Sequence, residues 1–283
     1  MEKIALAVGK EAEHLVQAVR ERYGRIAEGR TGGCCGSGAA VSGPEAAVSR
    51  GIGYQAEELS AVPEEANLGL GCGAPIGFLK PAPGETVLDL GSGAGLDCFL
   101  AAGAVGSSGR VIGIDMTPEM LERARGGAAK HGLTQVEFRE GRLERLPVAD
   151  ASVDAVTSNC VINLVPDKSA VFREIARVLR PGGRLVISDI VLDGKLPESV
   201  EKDIYAYVGC VSGAAQRPDY FGLLAEAGLG EIAILRDVDY LGSLCKSAPE
   251  EVEAFRGSTG VNLDELAGKV RSITFRATKP IRA

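Results

Sequence analysis

Two hydrophobic rhythms divide the chain. Residues 10–28 place Leu15, Val16, Val19 and Ile26 on a helical period among charged residues, which predicts an amphipathic helix. Gly29-Arg30-Thr31-Gly32-Gly33 breaks that helix. The following stretch, 36–63, is rich in Gly, Ala and Ser and reads as a mobile connector with one helical turn near residues 56–59. From Pro75 to Val191, short apolar runs alternate with helical stretches. Strands are expected over 87–89, 110–115, 136–139, 153–158 and 184–189, and helices over 96–104, 118–131 and 168–179. Strands separated by crossover helices predict a mainly parallel, doubly wound sheet. Beyond residue 195 the rhythm changes. Helices are expected over 198–210, over 219–227 with Gly228 as a stop, and over 248–255. The runs 231–238 and 270–278 read as strands that pair antiparallel at the sheet edge.

Composition narrows the class. The 283 residues are 45% hydrophobic and 24% charged, ordinary for a soluble enzyme with one large core or a core plus an appended unit. A net charge of −7 leaves no basic stripe to neutralise phosphates, so neither a nucleic-acid nor an anionic-membrane partner is expected. Met1 to Val8 lacks the apolar core of a signal peptide, and no apolar run approaches a membrane span. We expect a cytoplasmic protein, monomeric because no extended apolar patch is recognisable. The seven cysteines are an odd number and do not suggest a disulfide framework. Zinc is disfavoured too: there is no Cys-x-x-Cys pair, and His14 and His131 are the only histidines. Cys98, inside the first crossover helix, is expected to pack as a small hydrophobe. Cys245 fits no motif and is expected at the surface or in packing.

The apolar run Thr86-Val87-Leu88 ends in Asp89-Leu90-Gly91-Ser92-Gly93-Ala94-Gly95. Alternating glycines between strand and helix bring bare backbone against an adenosine-bearing cofactor. Gly-x-Gly-x-Gly after an aspartate favours S-adenosylmethionine over a dinucleotide, whose third glycine usually falls one residue later. Asp115, ending the second strand, is placed to accept the ribose hydroxyls, and Asp89 to meet the methionine amino group. Arg177 to Leu185, around Arg180-Pro181-Gly182-Gly183, resembles the helix-to-strand-five junction of class I methyltransferases. Arg142-Leu143-Glu144 falls where those enzymes cap the adenine. The candidate cofactor residues are therefore Asp89, Gly91, Ser92, Gly93, Gly95, Asp115, Met116, Arg142, Leu143, Glu144 and Asn159. The fold expected is α/β: a doubly wound, Rossmann-like class I methyltransferase sheet with a terminal antiparallel strand pair. An N-terminal helical, cysteine-bearing segment (1–70), the cofactor-binding unit (71–192) and a smaller C-terminal α+β lid region (193–283) would divide the chain, the last strands completing the sheet.

A second set of motifs is more specific. Asn67-Leu68-Gly69-Leu70-Gly71-Cys72-Gly73-Ala74-Pro75, Tyr23-Gly24 with Cys34-Cys35-Gly36, Ser158 to Leu164 around Cys160, and Cys210-Val211-Ser212-Gly213-Ala214 span nearly the whole chain. Together they resemble the arsenite S-adenosylmethionine methyltransferases. The resemblance implies methyl transfer to trivalent arsenic, with Cys160 and Cys210 carrying the metalloid. Cys72 and an N-terminal cysteine, either Cys34 or Cys35, would complete the thiol set. Thiolate sulfur suits a soft centre far better than carboxylate or imidazole does. The arsenic lone pair is then the nucleophile, and no general base is needed. Thioredoxin or glutathione would reduce a disulfide formed as electrons return to arsenic. Two alternatives lack part of this pattern. A quinone- or sterol-type methyltransferase has no use for the thiols, and a metalloid-binding sensor has none for the glycine turn.

Overall fold

The computed structural model describes residues 2–29, 44–247 and 249–281. In chain order, helices α1 (Glu2–Ala27), α2 (Pro44–Ile52), α3 (Ala56–Ser60) and α4 (Pro75–Leu79) lead into the alternating region. There follow β1 (Thr86–Leu90), α5 (Leu96–Val105), β2 (Arg110–Asp115), α6 (Pro118–Lys130), β3 (Val136–Glu140), β4 (Val153–Asn159), α7 (Lys168–Val178) and β5 (Leu179–Leu192). The remainder comprises α8 (Glu198–Glu201), α9 (Ile204–Val208), α10 (Arg217–Glu226), β6 (Gly230–Asp239), α11 (Tyr240–Ser247), α12 (Pro249–Thr259) and β7 (Val270–Thr278).

All seven strands form one sheet in the order β3-β2-β1-β4-β5-β7-β6. The first five are parallel, and β7 inserts antiparallel between β5 and β6. Successive residues of a strand point to opposite faces, so each central strand feeds two cores. Val87, Val111, Ala155 and Val186 meet Leu59, Leu79, Phe99 and Leu121 on one face. Leu88, Ile112, Val156 and Leu185 meet Phe172, Ile175, Tyr220 and Leu224 on the other. Tyr220 packs edge-on against Phe172 and Phe275, with ring centroids 5.3 and 5.9 Å apart. Burial on both faces explains why these strands read as unbroken apolar runs. The doubly wound sheet and its terminal antiparallel pair are as expected from the sequence. No helix of the described residues is long and apolar enough to cross a membrane.

Three local expectations need correction, and one helix was not foreseen. The stretch 36–63, read as a connector, contains α2, whose Ala46, Ser49 and Ile52 are buried at three-residue spacing. Small side chains made that face faint, and residues 36–43 lie outside the described set. The helix expected over 198–210 is two helices, because Asp203 accepts a hydrogen bond from the Ala206 backbone at 2.7 Å and starts α9 afresh. The fifth strand runs from Leu179, not Arg184, because Leu179 pairs with Val153 and the far end follows β7 to Leu192. Helix α11, with Gly242 inside it, has no counterpart in the sequence reading.

Candidate active site

The carboxyl ends of β1, β2 and β4 open into a cavity of about 220 Å³. At the β1–α5 turn, Gly91, Gly93 and Gly95 all hold positive φ: 68°, 51° and 96°. They are not equivalent. A Cβ on Gly91 would meet the Val161 side chain at 2.4 Å, and one on Gly95 would meet the Phe138 and Phe99 rings at 2.9 Å. On Gly93 the nearest atom would be Met120 Sδ, at 3.9 Å. A Cβ on Gly93 would therefore stand in open cavity space, whereas one on Gly91 or Gly95 would collide with packed side chains. Of the three, Gly91 and Gly93 line the cavity and Gly95 does not. Asp115 accepts hydrogen bonds from the Gly93 and Thr117 backbone at 2.9 and 2.8 Å, which fastens the turn to β2. A carboxylate has about four acceptor positions, so Asp115 retains capacity for ribose hydroxyls.

Beneath the turn lie two buried carboxyls, Asp89 and Asp97. Cys98 donates its thiol to Asp89 at 3.3 Å, and the Tyr54 hydroxyl donates to Asp97 at 2.8 Å. Burial, reinforced by the Asp97 charge, holds Asp89 well above the usual carboxylate range; burial pushes Asp97 up to about 6. Among the described residues neither has a basic partner. Two such groups on a cavity wall fit a cationic ligand, and S-adenosylmethionine presents an ammonium and a sulfonium. The Ser92 hydroxyl, also on the wall, is buried without a hydrogen-bond partner among the described residues. The residues present thus fit this cofactor.

The other end of the cavity is built from thiols. Cys160 follows β4 at φ 60° and Cys210 follows α9 at φ 66°, left-handed conformations that cost about 1–2 kcal/mol in a non-glycine residue. The Cys210 thiol donates to the Cys160 carbonyl at 2.9 Å. The sulfurs of Cys72 and Cys160 and a carboxyl oxygen of Asp189 lie within 4.8 Å of one another. Hydrogen bonds from Cys210 and Cys72, then burial, raise the Cys160 thiol well above its ordinary value; burial raises Cys72. Asp189 is already engaged, accepting from Asn163 Nδ2, Tyr220 Oη and its neighbour's backbone at 2.8, 2.9 and 2.9 Å. Burial pushes it up to about 7. The three thiols, not this hard oxygen, are the donors suited to a soft metalloid.

The thiol loop around Cys72 is pinned from two sides. Asn159 Oδ1 accepts from the Cys72 and Gly73 backbone at 3.0 and 3.3 Å, and Ser272 of β7 donates to the Cys72 carbonyl at 2.6 Å. Helix α1 supplies cavity-lining Val16, Val19, Arg22 and Tyr23. Arg142 joins it to the opposite wall, pairing with Glu13 and Glu144 at 2.8 and 2.9 Å.

A methyltransferase-domain family model matches residues 81–228. An arsenite methyltransferase of Halobacterium salinarum is 49% identical over 240 residues, covering 81% of this chain and 61% of that protein. The arsenite methyltransferase of Mus musculus is 34% identical, covering 74% of this chain and 56% of its own length. The crystal structure of CrArsM, an arsenic(III) S-adenosylmethionine methyltransferase from Chlamydomonas reinhardtii, is 33% identical with a TM-score of 0.55. It covers 81% of this chain and 72% of its own. The chain belongs to the arsenite methyltransferase family. It spans about three-fifths of the length of the curated relatives it matches, 61% and 64% for the first two. A phosphoethanolamine N-methyltransferase of Haemonchus contortus, 19% identical with a TM-score of 0.61, shares the fold.

In this member of the family, Cys72, Cys160 and Cys210 and the cofactor candidates Asp89, Gly91, Ser92, Gly93, Asp115, Met116, Arg142, Leu143, Glu144 and Asn159 all line one cavity. Cys34 and Cys35 lie outside the described residues. Asn159, expected to serve the cofactor, lines the cavity and hydrogen-bonds Cys72, Gly73 and Tyr54. Cys98 is buried and Cys245 exposed, each as expected. Sequence reasoning missed Tyr54, Asp97 and Asp189. Asp97 carried a signal, a lone acid in the first turn of an otherwise apolar helix. Asp189 did as well, as an acid near the carboxyl edge of an apolar strand. Tyr54 carried none.

Proposed function

We propose that this chain transfers methyl groups from S-adenosylmethionine to trivalent arsenic held by Cys72, Cys160 and Cys210, a detoxifying reaction. The observation that carries this reading is the thiol cluster lying at one end of the cavity whose other end is the Gly93 turn with its buried acids. Bound there, the cofactor supplies an electrophilic methyl on a positively charged sulfur. Asp89 and Asp97 ionise to offset that positive charge, Asp115 accepts from the ribose, and Arg142, Leu143 and Glu144 close the adenine side.

At the thiol end the protons balance without a base. Arsenous acid carries hydroxyls, and each thiol proton leaves with one of them as water while a sulfur–arsenic bond forms. Raised thiol pKa values are therefore no obstacle to loading. Three sulfurs leave the arsenic lone pair free to attack, and the chain contributes positioning and exclusion of water. Methylation formally oxidises arsenic to the pentavalent state. Two thiolates return the electron pair by forming a disulfide, for which Cys34, Cys35 and Cys72 are the candidates, and thioredoxin or glutathione reduces it. In this reading residues 71–192 form the cofactor-binding unit, and 1–70 and 193–283 supply thiols and cover. We place the enzyme in the cytoplasm as a monomer.

The test is mass-spectrometric speciation of the products from purified chain, arsenite, S-adenosylmethionine and a dithiol. Methylated arsenicals are expected. Cofactor binding without any methylarsenical would sink the proposal and return the site to a ring-methylating enzyme, which has no role for the thiols.

A further inference from the structure

The side chain of Asn159, at the end of β4, is saturated. Its Oδ1 accepts from the Cys72 and Gly73 backbone at 3.0 and 3.3 Å, while its Nδ2 donates to the Gly73 carbonyl at 2.7 Å and to Tyr54 Oη at 3.0 Å. Tyr54, 2% exposed, passes its own proton to Asp97 Oδ1 at 2.8 Å. A continuous hydrogen-bonded line therefore runs from the helix behind the cofactor turn to the loop that carries the Cys72 thiol. Its direction is fixed. The hydroxyl donates to a carboxyl and must accept from the amide, which leaves Oδ1 facing the two loop N–H groups.

The loop is shaped to receive this amide. Gly71 has φ 111°, and a Cβ there would stand 2.7–2.9 Å from the Asn159 amide atoms. A Cβ on Gly73 would stand 2.4 Å from Ser188 Oγ, on the side of β5 and β7. Bare backbone on both flanks of Cys72 lets the loop lie between Asn159 and the sheet.

We propose that Asn159 is the positioning residue that presents the Cys72 thiol to Cys160, with Tyr54 and Asp97 holding its amide in the required orientation. The chemical use of that thiol rests on the reaction proposed above; the positioning itself does not. Asn159→Asp keeps the acceptor but sets an anionic oxygen against the Gly73 carbonyl and removes the donor to Tyr54. Tyr54→Phe removes only the hydroxyl between Asp97 and the amide.

The experiment is the rate of iodoacetamide alkylation of Cys72, resolved by peptide mass mapping, with buried Cys98 in the same molecule as reference. Asn159→Ala and Asn159→Asp should accelerate Cys72 about tenfold or more, and Tyr54→Phe by a smaller factor, with Cys98 within twofold of its rate in the natural chain. An unchanged Cys72 rate in the folded variants overturns the proposal. So does parallel acceleration at Cys98, which marks general loosening and not a positioning role. If the Asn159 variants do not fold, Tyr54→Phe decides alone by the same criteria. The assay needs neither arsenic nor turnover. A natural chain that methylates no arsenite but shows the alkylation difference would sink the reaction and leave the positioning intact.

Discussion

The Cys210 thiol reaches the backbone carbonyl of Cys160 at 2.9 Å across a separation of 50 residues, and both residues hold positive φ. Backbone strain at two thiols in mutual contact points to a conformation kept for use and not for stability. Serine at either position should abolish methylation of arsenite and of methylarsenite. Cys72→Ser should spare the methylated substrate, which needs fewer sulfur ligands. Product speciation on both substrates is the check, and full activity of Cys210→Ser would remove Cys210 from the binding set. Glycine at position 160 or 210 should be equally inactive yet nearly neutral in stability. Relief of roughly 1 kcal/mol of left-handed strain offsets lost packing, so Tm should move by no more than about 4 °C.

The unequal glycines separate binding from folding. Gly93→Ala places a methyl group in the cavity with only Met120 Sδ near it, at 3.9 Å. It should weaken S-adenosylmethionine binding tenfold or more by calorimetry, with a modest drop in Tm. Gly95→Ala drives a Cβ to 2.9 Å from two aromatic rings at φ 96° and should instead cost about 2 kcal/mol or more of stability. Equal effects of the two substitutions on Tm and on affinity would refute the division.

If the buried acids face the cofactor as proposed, its affinity should depend on pH. Asp97 is pushed up to about 6 by burial and Asp89 is raised by burial and by the Asp97 charge. Below that value Asp97 is neutral and has no charge to set against a cation. Affinity for S-adenosylmethionine should fall several-fold between pH 7.5 and pH 5.5, and Asp97→Asn should flatten the profile. A dissociation constant that stays level across this interval counts against the role of the acids.

Asp189 couples stability to pH in the opposite sense to a salt-bridged carboxylate. Its folded pKa is about 7, raised by burial, against about 3.9 in an unfolded chain. The neutral form is favoured in the fold. Its contribution is therefore full below the unfolded pKa and is lost as pH rises through 7. The loss is on the order of 2–4 kcal/mol, tempered by the Lys168 ammonium nearby. Thermal melts from pH 4.5 to 8 should show a decline that Asp189→Asn flattens. A curve of the same slope in both proteins contradicts this account.

The sheet was legible because burial on both faces writes itself as apolar runs, and the crossover helices between them carry a 3.6-residue period. The side-chain-free turn at Gly93 and the thiols at 72, 160 and 210 were legible as motifs. What escaped the sequence was partnership. Nothing near Tyr54 announces that it meets Asp97 and Asn159, since hydrogen bonds across 43 and 105 residues leave no local pattern. Asn159 sits in a motif that pointed to the cofactor, and only the folded loop reveals what its amide grips. Helix α2 escaped for a different reason: alanine and serine can pack closely without producing a strong hydrophobic period.

Ser272 holds the Cys72 carbonyl from the last strand, 200 residues downstream. During synthesis the three sulfurs leave the ribosome long before the hook that settles the first of them exists. A nascent chain thus carries all three thiols before the loop around the first of them can be anchored.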